Sequence, residues 1–540
     1  MRWILDRIAR LFSAQPHGAG ARCYRVSSLS AKTLISAVTV VCLVAATAWA
    51  VWGRHPDVAG AVAIPRPPRI RPDYSDVVIP PNIAPLNFTI EEQGRRFLVR
   101  ISGQTGEPIE LVSRQPAITI PPARWRHLLQ ANRGRDLKIE VYAEVASRWE
   151  RYQPFVQSIA QEAIDSHLVH RVVGPIHNRW RQTAIHQRDL TGYDAAVVLD
   201  GESIGRGCVN CHSFPANQPE NMLLGLRSAT LGADTLFADG DRVEKLGSPI
   251  GYTAWHPSGR LAAYSVNKVR QFFHAAGSEV RDVIDLDSGL SYFRVEDRQM
   301  KSVPRASDEQ RLQTYPAWSP DGQYLYYCSA PFLWSDRDEC PPERYDEVKY
   351  DLMRIGYQVE SDRWGEPETV LSAAETGLSI LLPRISPDGR FLLFCMCRYG
   401  CFPVFQPSSD LYLMDLADSS YRRLEINSEF SESYHSWSSN SRWIAFSSRR
   451  QGGFFTRCYF GYVDPSGRVH KPFVLPQQDP AFYDSFLKSI CVPELVTGPV
   501  RVPESALVRA ARTPPPTASQ LPAGQTPPLQ TLEPYQQTGG

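Results

Sequence analysis

The sequence predicts a mainly all-β protein, a β-propeller preceded by a small β-sandwich and by one N-terminal transmembrane helix. Three observations predict it: a strand-turn-strand template repeated four times after residue 250, short alternating strands before it, and an uncharged apolar run near the N-terminus. Composition agrees, because 11% aromatic residues, 44 prolines and only 21% charged residues suit a turn-rich β protein outside the cytosol. At 540 residues the chain is too long for one ordinary core, so several domains are expected. The formal charge of +1 supplies no broad positive field, which argues against nucleic acid as a partner.

Taking the elements in order, residues 1–33 are read as a cytoplasmic segment. Within it Met1 to Phe12 (MRWILDRIARLF) suits either an interfacial helix or a disordered leader. Residues 34–52 (LISAVTVVCLVAATAWAVW) carry no charge and are long enough to span a bilayer. Arg2, Arg7, Arg10, Arg22, Arg25 and Lys32 precede the run, so the positive-inside rule places everything beyond residue 53 outside the cytoplasm. The long leader favours an uncleaved anchor, although AWA at Ala48 to Ala50 leaves cleavage open. Residues 53–86 hold IPRPPRIRP and VIPPNIAP, expected to act as a stiff spacer. Residues 87–150 read as the sandwich, through FTIEE, RRFLVRISG, PIELVS and LKIEVYAEV. In 151–200, Phe155, Ile159, Ala160, Ala163, Ile164 and Leu168 fall at helical spacing, which predicts a linking helix. Residues 201–500 form the propeller, and 501–540 (with TPPPTASQLPAGQTPPLQ) a disordered tail.

The propeller rests on AWHPSGRLAAYSV, AWSPDGQYLYYCS, RISPDGRFLLFCM and SWSSNSRWIAFSS, each an apolar or aromatic residue, a tight turn and a strand. A second hairpin signal follows each copy, giving four strands per unit and five or six blades in all. Met222 to Leu246 reads as the outer part of an earlier blade, and Asp479 to Val500 as a segment that completes the ring. From roughly 222 to 480 these SPDG units resemble the TolB-like, or PD40, propellers of bacterial periplasmic proteins. The resemblance implies a six-bladed ring and a surface for a partner or ligand, without naming either; the anchor and the charge bias give a single-pass protein of the inner membrane with its bulk in the periplasm.

Chemistry concentrates in GRGCVNCHSF, where Cys208, Cys211 and His212 make C-x-x-C-H. A thioredoxin-like pair would need a βαβ context, and a structural zinc site a second ligand pair, for which CMCRYGC at Cys395, Cys397 and Cys401 is the available source. A plain disulfide would leave His212 without a task. The reading adopted is covalent haem c at Cys208 and Cys211, with His212 as proximal iron ligand; over these five residues the chain resembles the cytochrome c family. Met222 is the nearest thioether and a possible distal ligand, its alternative being blade core, and His167, His170, His177 and His186 could also approach the iron. Ser203 lies in GESIG, a G-x-S-x-G pattern that lacks the following helix a nucleophile elbow requires. Cys328, Cys340, Cys395, Cys397, Cys401, Cys458 and Cys491 leave an odd thiol over.

The functional expectation is a membrane-anchored periplasmic haem protein that transfers or senses single electrons and docks a redox partner protein on its propeller. Its rival is an envelope protein-binding or glycan-binding scaffold with a structural haem. A haem enzyme would require an open coordination position.

Overall fold

The computed structural model describes residues 56–174, 183–274, 281–304, 306, 310–334 and 344–514. The expected anchor at 34–52 and His177 lie outside them. Among the described residues no helix is long and apolar enough to cross a membrane.

Six four-stranded antiparallel sheets form the ring, and each presents its innermost strand to a central channel. Blade 2 begins with Cys208–Ser213, blade 3 with Thr253–Trp255, blade 4 with Arg311–Trp318, blade 5 with Ser379–Ile385 and blade 6 with Glu432–Trp437. Blade 1 is composite. Its outer three strands are Ala195–Asp200, Thr183–Asp189 and His167–Val173, while its innermost strand, Ser489–Val496, comes from the far end of the chain and closes the circle. A strand borrowed across some 300 residues ties the first blade to the last and closes the ring.

Each predicted turn is locally braced. In blade 5 the Ser386 hydroxyl donates to Asp388 Oδ1 at 2.6 Å, and the Gly389 amide closes the turn on the Ser386 carbonyl at 2.8 Å. Gly389 sits at φ 76°, where a side chain would be strained. Ser438 and Asn440 repeat the bond at 2.6 Å in blade 6. The tight turn and the buried strand after it therefore recur as a unit.

Five expectations change. The ring starts at His167, not 201. Among the described residues the linking helix does not form: Phe155–Ile159 and His167–Val173 are strands, with the buried Ile164 in the connection between them, because apolar residues at 155, 159 and 168 suit short buried strands as well as one helical face. The proline-rich stretch is no spacer. Val62–Ile64, Ile70–Arg71 and Val77–Ile79 pair into sheets, and Ile83, Ala84 and Leu86 are buried, since the prolines fall between these short edge strands and remove no ladder bond. In place of a plain sandwich, a seven-stranded sheet, a three-stranded sheet and the helix Pro122–Ala131 share one core. That helix buries Trp125, Leu128 and Leu129 and carries proline in its first turn, where no amide is missed.

The fifth change is at the C-terminus, where Glu504–Arg512 is a helix. It buries Ala506, Leu507, Ala510 and Ala511 against blades 1 and 2, and the Lys245 ammonium donates to the Ala511 carbonyl at 3.2 Å. The N-terminal module docks on blade 6. Asp165 accepts the Ser439 amide and hydroxyl at 2.8 and 2.6 Å, and the Trp443 indole donates to the Glu162 carbonyl at 3.0 Å.

Candidate functional site: the central channel

The innermost strands enclose a channel of about 1250 Å³. Blade 3 contributes more than its innermost strand, because its second and third strands, Leu261–Phe273 and Arg281–Arg294, run to 13 and 14 residues and carry Phe273, Arg281 and Val283 along the wall.

Cys208 and His212 both line this channel. The outer residues of the C-x-x-C-H motif thus share one cavity, but they stand on an extended strand rather than a helical turn. An extended strand advances about 3.3 Å per residue, so three steps spread Cys208 and Cys211 along roughly 10 Å. The ladder of this strand breaks between Asn210 and Ser213, which re-aims the chain at 211 and 212. Cys208 is a half-buried free thiol; the side chain of Cys211 lies outside the described residues.

His212 is 3% exposed, and neither ring nitrogen makes a hydrogen bond. Burial, followed by the nearby Arg171 charge, pushes its pKa down to about 3; the carbonyls of Val169 and Val492 oppose the shift without reaching good hydrogen-bond geometry. The imidazole is therefore neutral, the form that ligates a metal, and it forgoes the bonds a buried ring ordinarily makes.

The break at 211 is shared. The innermost strands of blades 4, 5 and 6 break at Tyr315, Leu382 and Tyr434, and the closing strand at Val492, all with φ between 38° and 54°. Superposing the breaks aligns NCHSF with TYPAW, LLPRI, SYHSW and CVPEL. His212 then shares its step with Pro316, Pro383, His435 and Pro493. The motif's histidine occupies a position of the repeat, a relationship hidden in the sequence because the repeat there lacks its SPDG turn.

Met222 is placed elsewhere. It is 1% exposed in the core between blades 1 and 2, with Leu224, Leu226 and Val496, and does not line the channel. His170 is 3% exposed with an unpartnered Nδ1, and burial, then the His186 charge, pushes it down to about 3; His212 is among its other neighbours. His167 shares a 2.9 Å hydrogen bond with Ser166. Ser203 donates to Glu504 Oε1 at 2.9 Å, a bracing contact for the C-terminal helix. Cys395, Cys397 and Cys401 are buried free thiols in or beside blade 5, and Cys340 lies outside the described residues. Among the described residues no three His, Cys, Asp or Glu side chains converge as a metal site.

Sequence reasoning missed the basic lining. Five arginines, 171, 227, 281, 384 and 449, line the channel against two glutamates, 429 and 494. Glu494 is taken by Arg384 at 2.9 Å. Arg281 lies over the Phe405 ring with its guanidinium carbon 3.8 Å from the centroid, and Arg449 lies 5.2 Å from the same centroid.

No family model matches this chain, and no curated protein is similar to it. Among solved structures it is similar to TolB from Acinetobacter baumannii, with 12% identity and a TM-score of 0.40 over 69% of this chain and 85% of that one. It is similar to an oligogalacturonate lyase from Vibrio parahaemolyticus at 10% identity and a TM-score of 0.30, over 55% and 92% of the two chains. A puromycin-hydrolysing peptidase of Mycobacterium tuberculosis follows at 12% and 0.32, over 64% and 52%. Scores this low transfer no activity. The propeller rests on its own strand order.

Proposed function

We propose that the channel holds one covalent haem c and that the protein passes or senses single electrons at the periplasmic face of the inner membrane. The observation that carries this reading is His212, a neutral buried imidazole with both nitrogens unpartnered, on the channel wall that the free thiol of Cys208 also lines. Cys208 and Cys211 would hold the porphyrin, each thiol adding across a vinyl group as a thioether, and His212 would ligate the iron. Bound haem supplies a one-electron iron couple. The chain's part is to keep His212 unprotonated and to wall the cofactor with aromatic side chains such as Tyr315, Phe402 and Phe405, which limit water and so tune the potential. The N-terminal run at 34–52 would anchor the protein in the membrane, and a redox partner protein would dock on the ring.

The shared step of His212 and His435 favours a second reading, in which the motif is a variant of the repeat and the ring is a binding scaffold for an envelope protein or glycan. An absorption spectrum of the chain co-expressed with haem c maturation machinery, taken before and after dithionite, separates the two. Pigment that survives acid-acetone extraction and is lost in Cys208→Ala supports the haem; a colourless wild-type protein removes it. In the same experiment Met222→Ala tests the distal position, where a low-spin to high-spin change assigns Met222 to the iron and an unchanged spectrum leaves it to the core.

A further inference from the structure

We infer that Arg281 and Arg449, set against the Phe405 ring in the channel wall, form a clamp for a flat anionic ligand that carries carboxylate groups. The inference rests on the channel being the ligand site, but not on iron or on the cysteines.

Among the described residues, no carboxylate pairs with either guanidinium. Arg384 already engages Glu494, and Glu429, the other channel carboxylate, is exposed and pairs with neither arginine. Arg449 keeps one contact of its own, a donation to the Phe454 carbonyl at 3.2 Å, and its buried Nε has no partner. Burial pushes both guanidinium pKa values down to about 10, and for Arg281 the Arg449 charge, then that of Arg171, adds to the effect. Two cations held together without a counter-charge carry a cost that an anion between them offsets.

Shape narrows the ligand. Guanidinium groups are planar forks that grip a carboxylate through two parallel bonds, and here both lie against an aromatic ring. Phe402 stacks on Phe405 at 5.3 Å and 22°, which extends the flat apolar face beside the cations, and Tyr252 and Tyr315, which meet at 4.1 Å, line the same channel. A volume of about 1250 Å³ accepts a ligand much larger than an inorganic ion. Two sources offer this chemistry, the propionates of a porphyrin and a free aromatic diacid.

The test uses the full chain in detergent, prepared without haem maturation, and two probes, isophthalate followed by calorimetry and metal-free protoporphyrin IX followed by its fluorescence. Binding of either probe, weakened about tenfold or more in Arg281→Gln and in Arg449→Gln, supports the clamp. In those variants the thermal midpoint of the unliganded protein should hold or rise, a sign that the arginines serve a ligand and not the fold. Binding that ignores both substitutions overturns the proposal, as does failure of both probes to bind. If a glutamine variant does not fold, Arg449→Lys keeps the charge and loses the fork; a several-fold loss of affinity is expected, and an unchanged affinity overturns the planar grip. Isophthalate binding alone assigns the free diacid, and porphyrin binding alone assigns the tetrapyrrole. Arginine-dependent diacid binding in a chain that matures without pigment would leave the clamp standing and remove the haem; pigment at Cys208 without arginine dependence would do the reverse.

Discussion

His212 and His435 occupy the same step of the repeat, each 3% exposed and each at the break in its blade's innermost strand, yet only His435 is hydrogen-bonded. Its Nε2 meets the Leu393 carbonyl at 3.0 Å, and its Nδ1 lies 3.8 Å from the Cys395 sulfur. In the chain without haem, His435→Leu should therefore cost about 1–3 kcal/mol, the penalty of abandoning a satisfied buried polar site. His212→Leu removes no hydrogen bond and should be neutral or stabilising. Denaturant midpoints of the two variants check this, and equal losses would show that His212 is as structural as its counterpart.

The same burial gives stability a pH dependence of known sign. The folded pKa values of His170, His212 and His435 lie near 3, below the ordinary 6.5, so each leaves the fold unpenalised above pH 6.5 and costs it increasingly as pH falls from there toward 3. Each contributes a slope of about 1.4 kcal/mol per pH unit in that window. His212→Leu should flatten the acid side of the wild-type curve by one such slope. Parallel curves for the two proteins between pH 6.5 and 4.5 would refute the burial argument.

Asp285 acts in the opposite direction. Burial pushes its carboxyl up to about 7, and of its two oxygens only Oδ2 is bonded, to Asn267 at 2.9 Å and Tyr350 at 3.3 Å. A raised carboxyl contributes its full stability below the unfolded value of 3.8 and loses it as pH climbs to 7. Asp285→Asn, which stays neutral, should be more stable than wild type at pH 8, and the gain should vanish by pH 4. A variant equally stable at both values would contradict this.

Leu507, fully buried in the C-terminal helix, packs with Ala506 and Ala510 against blades 1 and 2. Leu507→Ala should cost about 2–5 kcal/mol, as deletion of a buried leucine side chain does. Calorimetry gives the number, and a change below about 0.5 kcal/mol, the scale of surface substitutions, would mean that the helix is not docked.

The repeat was legible because its parts are local. A turn closed by Ser386, Asp388 and Gly389 and the strand Phe391–Cys397 lie within a dozen residues, so residue type alone specifies them. Blade 2 was half legible: its outer strands were recognised, but its innermost strand was read only as a haem-attachment sequence, since no SPDG turn follows it. The helix Pro122–Ala131 was missed when 87–150 was read as strands alone, although Pro122 and the spacing of Trp125, Leu128 and Leu129 are the signal that could have found it.

By itself the sequence determined what depends on neighbours along the chain: the blade template, the β-rich class and the C-x-x-C-H spacing. Only the tertiary structure decided what depends on closure. It set six blades by lending Ser489–Val496 to the first, drew proline-flanked strands into a sheet, and gathered Arg281 and Arg449 on one phenylalanine. The physical reason is that a ring brings together residues hundreds of positions apart, whose charges and free hydrogen-bonding groups have meaning only once water has been excluded between them.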